Sequence, residues 1–211
     1  MLYALKGRFQ NFAQKWAHRG MTANHATFLG AAFVALTALS LFEGFKQEPK
    51  SLWLLFTPFF ILVRLIMNAL DGLLSRAHKT ASASGEIMNE VSDVVGDTVS
   101  YGVLYFVFPL AHLEITLFLL AIWFCEFVGV LGKSLPGGRR RQEALCGGKP
   151  ERALWMCLFA VTGFFYGPPS WVNGYFIFLS VLVFITALFR IHKSIVDARG
   201  KPYVSQTEFG R

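Results

Sequence analysis

What most limits the fold of this chain is the bundling of its apolar residues. Long, mostly apolar runs at 22–43, 52–76, 85–109, 112–133, 151–167 and 171–190 alternate with short segments that hold most of the Lys and Arg. The hydrocarbon core of a bilayer takes roughly 20 mostly apolar residues per helical span, and a spanning backbone must satisfy its own hydrogen bonds. The runs therefore predict an all-α integral membrane protein built as a six-helix bundle. Only 16% of the 211 residues are charged, against roughly a quarter in soluble domains, which excludes an ordinary soluble fold. No internal repeat or low-complexity stretch divides the chain.

Ahead of the first run, Leu2, Leu5, Phe9, Phe12 and Trp16 recur at intervals of three and four residues, while Lys6, Arg8 and Lys15 take other faces. That pattern, without an acidic residue, predicts an amphipathic helix lying in the membrane interface. The expected organisation is an interfacial helix over 1–20, a six-span domain over 21–195 and a tail over 196–211. The fifth run is short, and Pro168–Pro169 predicts a tight connection to the sixth. No short apolar core with a small-residue cleavage site marks a secretory leader.

Loop charge orients the spans. Seventeen basic residues lie on one side: Lys6, Arg8, Lys15, Arg19, Arg76, Lys79, Lys133, Arg139, Arg140, Arg141, Lys149, Arg152, Arg190, Lys193, Arg199, Lys201 and Arg211. The other side has Lys46 and Lys50 only, so both termini are expected in the cytoplasm. The net charge of +7 then reflects topology and attraction to anionic membrane lipids, with no nucleic acid implied. Cys125, Cys146 and Cys157 lack CxxC spacing, and the five histidines show no metal-ligand spacing. Neither a disulfide framework nor a zinc site is expected.

Polar residues inside spans are costly and mark function. On the second span Arg64, Asn68, Asp71 and Ser75 are separated by four, three and four residues and share one helical face. On the third, Glu86, Asn89, Glu90, Asp93 and Asp97 fall within a sector of roughly 100°. The short loop 77–84 makes these faces neighbours, and their lipid sides can remain apolar. Carboxylate and amide oxygens suit a hard divalent cation, which often acts on phosphoryl groups. A buried polar network or an ion path would use the same residues.

These two spans read Asn68-x2-Asp71-Gly72-x2-Ser75-Arg76-x8-Gly85-x3-Asn89-x3-Asp93. The intervals resemble the pattern of the CDP-alcohol phosphotransferases, D-x2-D-G-x2-A-R-x8-G-x3-D-x3-D. Thr22-Ala23-Asn24 resembles that family's Thr-Pro-Asn entry to the first span, with Ala in place of Pro. In the family, four aspartates hold two divalent metals and the last serves as general base. The resemblance thus implies a membrane transferase of phospholipid synthesis. It would move a phosphatidyl or phospho-alcohol group from a CDP-linked donor, such as CDP-diacylglycerol, to an alcohol hydroxyl, releasing CMP. Asp93 would be the base. Asn68, Asp71, Asn89, Asp93 and a compensating Glu90 would be ligands of a two-metal Mg²⁺ or Mn²⁺ site, weaker than usual for the family. Asn24, Gly72, Ser75, Arg76 and Gly85 would meet CDP, the two glycines by letting it approach the backbone.

The chain departs from the family at Asn68 and Asn89, which stand where aspartates are usual, and at Ser75. Two carboxylates remain of four, so metal binding should weaken unless Glu86, Glu90 or Asp97 contributes. This variant resembles a bacterial subgroup, which implies the inner membrane as location and admits a homodimer. A degenerate member serving as a lipid-binding scaffold would also explain both asparagines. A small ion-coupled transporter would not require Gly72, Arg76 and Gly85 at these intervals.

Arg64 lies roughly 18 Å along its helix from residue 52, too deep to snorkel easily, and its expected partner is Glu126. The segment Gly147-Gly148-Lys149-Pro150-Glu151-Arg152 reads as a glycine turn opening a span. There Lys149 and Arg152, with Arg139 from the preceding basic run, are expected to contact the acceptor alcohol.

Overall fold

The computed structural model describes residues 12, 14–47, 50–80, 82–135, 145–167 and 170–199. Most of the expected interfacial helix, the Arg139–Arg141 run, Pro168–Pro169 and the tail from residue 200 lie outside the described residues. Six α-helices are present among them: α1 (Ala23–Lys46), α2 (Leu52–Ala77), α3 (Ala83–Gly102), α4 (His112–Leu131), α5 (Lys149–Tyr166) and α6 (Val172–Ala198). No strand occurs among the described residues. Residues 14–18 are also helical, and Arg19 lies over the Trp16 ring at 5.8 Å.

Helix starts follow their capping residues. Thr22 and His25 close α1 reciprocally: Thr22 Oγ1 accepts from the His25 amide and His25 Nδ1 accepts from the Thr22 amide, both at 3.3 Å. This satisfies two otherwise orphaned donors. Ser82 caps α3 by accepting from the Gly85 amide at 3.1 Å. The chain reverses between α2 and α3 within five residues, with Lys79 at φ 54°. Two expected ends move. α3 stops at Gly102 and tightens into a 3₁₀ turn over Val103–Phe106, where the apolar run had predicted helix to 109. Pro109 disfavours helix at the residue before it, and apolar character alone does not reveal that. α6 continues to Ala198, two turns past the expected 190, because nothing after Arg190 breaks a helix.

Two compact units divide the chain: residues 1–109 with 155–169, and residues 110–154 with 170–211. In the first, α1 packs along α2 and also touches α3. Small residues allow close approach. A Cβ on Gly44 would sit 2.4 Å from the Leu54 side chain, and one on Gly163 would sit 2.3 Å from the Phe45 ring. Phe45 packs on Phe108 and Phe159, with ring centroids 5.2 and 5.0 Å away. Ser40 and Thr57 share a buried hydrogen bond of 2.9 Å. In the second unit α4 and α6 pack together, joined by the Phe118–Phe176 ring contact at 5.7 Å.

Four helical stretches, Ala23–Lys46, Leu52–Ala77, Pro109–Ser134 and Val172–Ala198, are long and apolar enough to cross a membrane. Their outer faces carry Phe28, Phe59, Leu62, Leu120 and Phe184, each about half exposed or more. Such apolar surface is stable against lipid and not against water. The chain is a multi-pass membrane protein. α3 turns Ile87, Met88, Val91, Val95 and Val99 outward, while Asp93, Asp97 and Ser100 are buried. The expected division of that helix into an acidic and an apolar face is therefore realised.

Candidate functional site

All motif residues from Asn68 to Asp93 lie in the first unit. α2 presents Arg64 buried and Asn68, Asp71 and Ser75 half-buried along one face. From α3, Asp93 is 8% exposed, Asn89 and Glu90 are half-buried, and Glu86 and Gly85 are exposed.

The halves of the motif are joined by Asn68, whose Nδ2 donates to Asp93 Oδ1 at 2.7 Å. One turn deeper, Arg64 Nη2 donates to Asp97 Oδ1 at 2.7 Å and to the Asp93 carbonyl at 3.3 Å. Its Nη1 reaches Ser100 Oγ at 3.4 Å. Arg64 and Asp97 are each only 2% exposed, so this ion pair is dry and strongly orienting. Gly96 makes room for it: a Cβ there would lie 2.7 Å from Arg64 Nη2.

The expected Arg64–Glu126 pair does not form. Arg64 meets Asp97, and Glu126 is held by other arginines in the second unit. Periodicity places an arginine on an inward face but does not say which acid another helix presents at the same depth. Asp97 accordingly serves as the partner of Arg64 through its Oδ1.

Near the α2 C-terminus, Asp71 Oδ2 accepts from Thr27 Oγ1 of α1 at 2.6 Å, and the Ala23 carbonyl, 3.1 Å from the same hydroxyl, competes for its one proton. Thr27 was not singled out in the sequence. A threonine one turn into a helix ordinarily satisfies itself on the carbonyl four residues back, so only the structure distinguishes it. Arg76 is exposed, and its guanidinium lies 3.7 Å from where a Gly72 Cβ would be. Asn24 is exposed at the start of α1, and Ser75 offers its carbonyl to the Thr80 amide at 2.9 Å.

The donor set is consequently made of oxygen. Among the described residues no three of His, Cys, Asp and Glu gather as a ligand group, and the carboxylates within the motif are Asp71 and Asp93. Two carboxylates with the neutral amide oxygen of Asn89 fit a single hard divalent cation in charge and chemistry. They supply half the charge that a four-aspartate pair of ions would meet.

The residues expected to contact an acceptor lie in the second unit, apart from Arg139, which is outside the described residues. Lys149 is half-buried at the first position of α5. Arg152 is 1% exposed: both terminal nitrogens donate to Glu126 Oε1 at 3.1 Å, and Nη1 also donates to the Gly147 carbonyl at 3.0 Å. Arg190 stands 3.5 Å from Glu126 Oε2 and donates to the Cys125 carbonyl at 2.9 Å. Gly147 is needed for approach and not for a left-handed turn. Its Cβ would fall 2.5 Å from Val183 Cα, whereas the described glycines with positive φ are Gly20 and Gly167.

An all-helical membrane fold whose second and third helices bring this motif together defines a class of lipid transferase. The chain belongs to the CDP-alcohol phosphatidyltransferase family, whose model matches residues 20–189. It is 31% identical over 201 residues to the inner membrane protein YnbA of Escherichia coli (strain K12), covering 90% of this chain and 94% of that protein. Two solved structures of Mycobacterium tuberculosis phosphatidylinositol phosphate synthase (PgsA1) share its fold. The one with CDP-DAG bound has a TM-score of 0.68 at 18% identity, covering 93% of this chain and 98% of that one. The complex with manganese and citrate gives 0.69 at 17%, covering 93% of each chain.

Proposed function

We propose that this protein transfers a phosphatidyl group from a CDP-linked donor to an alcohol at the face shared by α2 and α3. The observation that carries the reading is the Asn68–Asp93 contact, which unites motif halves 25 residues apart in the sequence. The donor class follows from family membership. A phosphatidylinositol phosphate synthase of the same fold has been solved with CDP-DAG, which supports CDP-diacylglycerol.

In this reading the acceptor hydroxyl attacks the β-phosphorus of the donor. A new oxygen–phosphorus bond forms, the bond from that phosphorus to the bridging oxygen breaks, and CMP leaves with the electron pair. Asp93 takes the hydroxyl proton through its carboxylate, while Asn68 and the Arg64 contact to its carbonyl keep that carboxylate on the α2 side. Asp71, steadied by Thr27, holds negative charge near the cytoplasmic end of α2. Arg76, Asn24, Ser75, Gly72 and Gly85 contact the cytidine diphosphate. Lys149, Arg152 and Arg139 remain acceptor contacts on sequence grounds, with Arg152 acting through its hold on Glu126 and the Gly147 carbonyl. A Mg²⁺ or Mn²⁺ ion on Asp71 and Asp93, assisted by the amide oxygen of Asn89 and by Glu90, would neutralise phosphate charge and lower the pKa of the attacking alcohol. The manganese complex of the related fold supports that cofactor class.

The loop charges support both termini in the cytoplasm, and the likeness to a bacterial inner membrane protein supports the same membrane. The test is CMP release by purified protein given CDP-diacylglycerol, Mn²⁺ and a panel of alcohols. Release with at least one alcohol, lost in Asp93→Asn, is expected. Absence of CMP under every condition would favour a lipid-binding scaffold.

A further inference from the structure

The amide of Asn68 has two ends, and the packing shows which faces where. Its Nδ2 lies 2.7 Å from Asp93 Oδ1. Its Oδ1 points the other way, toward α1, where it lies 3.1 Å from the place a Gly30 Cβ would take. The reverse orientation would set two acceptor oxygens against each other at hydrogen-bond distance, so the donor end must face the carboxylate. A carboxylate in place of this amide would bring two negative charges together in a half-buried space. That arrangement persists only with a cation between them or with one of the two acids protonated, and mildly alkaline pH works against the second.

We infer that Asn68 is a positioning residue that latches Asp93 across the α2–α3 boundary by a hydrogen bond, so that this contact between the helices needs no metal ion. The inference deepens the transferase reading, on which it rests for the task of Asp93. The surroundings support it. Arg64, the nearest buried cation, is already engaged by Asp97 at 2.7 Å and reaches Asp93 through the backbone carbonyl. The Asn68 amide draws the Asp93 carboxylate toward α2. Two side-chain donors from one helix, Arg64 to the Asp93 backbone carbonyl and Asn68 to its carboxylate, hold both the turn of α3 and the carboxylate it carries. Asn68 thereby does in the metal-free protein what a bridging cation would do between two carboxylates. Asn89, the other asparagine of the motif, differs: its backbone carbonyl accepts from Ser92 Oγ at 3.0 Å.

The test is thermal unfolding of the full-length protein in detergent at mildly alkaline pH, first in EDTA and then with Mn²⁺. In EDTA, Asn68→Asp should unfold several degrees below the native protein, and Mn²⁺ should raise its midpoint by clearly more than it raises the native one. The exchange of both partners, Asn68→Asp with Asp93→Asn, restores one donor and one carboxylate in reversed order. It should return the EDTA midpoint to near the native value and abolish the extra response to Mn²⁺. That recovery also keeps the inference falsifiable if Asn68→Asp alone does not fold in EDTA. Equal midpoints and equal Mn²⁺ shifts for native and Asn68→Asp protein would overturn it, as would an exchange variant no more stable than Asn68→Asp. CMP release by the native protein, recorded in parallel, tests the transferase reading separately. Its absence would remove that reading while leaving the unfolding series to decide the latch.

Discussion

Each unit of this protein contains a buried ionic cluster, and the two are built on opposite principles. In the second unit, Glu126 lies between Arg152 and Arg190, and all three residues are 5% exposed or less. Two guanidiniums there face one carboxylate, and the Gly147 and Cys125 carbonyls take further donors. Every strong charge is enclosed. In the first unit Arg64 is matched by Asp97, but Asp71, Glu90 and the exposed Glu86 add negative charge on the same helix faces, and the cluster grades from dry at Arg64 to open at Gly85. An enclosed cluster with matched partners organises packing. A graded, acid-rich one whose open end carries an exposed arginine can accept a cation and a phosphate-bearing ligand. On the proposed function, the open cluster is the one that meets the CDP-linked donor, while the enclosed one holds its helices together.

The comparison is broken most severely at Glu126. Glu126→Ala leaves two buried guanidiniums without their shared carboxylate, which should cost about 3–5 kcal/mol, a large part of a typical folding free energy. A thermal midpoint in detergent would register the loss, and CMP release should fall with the folded fraction and, because Arg152 loses its anchor, with a raised KM for the alcohol. Asp93→Asn should do the reverse. Turnover should drop by about 10²–10⁴-fold, the span attributed to a general base, with an unfolding midpoint close to native. If Asp93→Asn retains near-native turnover, the base is elsewhere and Glu90 is the next carboxylate to examine.

Smaller effects sharpen the contrast. Gly96→Ala pushes a Cβ to 2.7 Å from the Arg64 guanidinium, and overpacking of this kind should cost about 1–3 kcal/mol. Because Arg64 also holds the Asp93 carbonyl, turnover per folded molecule should decline as well, which a KM and kcat comparison would show. Thr27→Val removes the 2.6 Å bond to Asp71 at an exposed position. About 0.5–1.5 kcal/mol of stability should go with it, together with a rise in the Mn²⁺ concentration needed for half-maximal turnover.

Much of this was legible in the sequence for identifiable reasons. The apolar runs set the helices because a bilayer leaves the backbone few alternatives, and the 64, 68, 71, 75 spacing placed the polar face of α2 because the helical period is fixed. Pairings between helices were not legible. The partner of Arg64 is decided by how α2 and α3 are rotated and offset, so Asp97 could not be preferred to Glu126 from periodicity. Thr27 carries no signal of its own, since its local bond to Ala23 is what any helical threonine would make. Gly147 shows the same limit. Sequence shows that a Cβ is missing, while only the close passage of the α6 backbone at Val183 shows why.

The central claim is that the acid-rich face between α2 and α3 is the working site and that its reduced carboxylate count suits one divalent ion. Counting bound Mn²⁺ by electron paramagnetic resonance in the purified, EDTA-stripped protein addresses it directly. One Mn²⁺ per chain is expected for the native protein. Asp71→Asn combined with Asp93→Asn should abolish that binding, and Glu114→Gln, an acid of the second unit bonded to Asn173 at 3.1 Å, should leave it intact. Binding that survives removal of both aspartates, or a native protein that binds no Mn²⁺, would contradict the account.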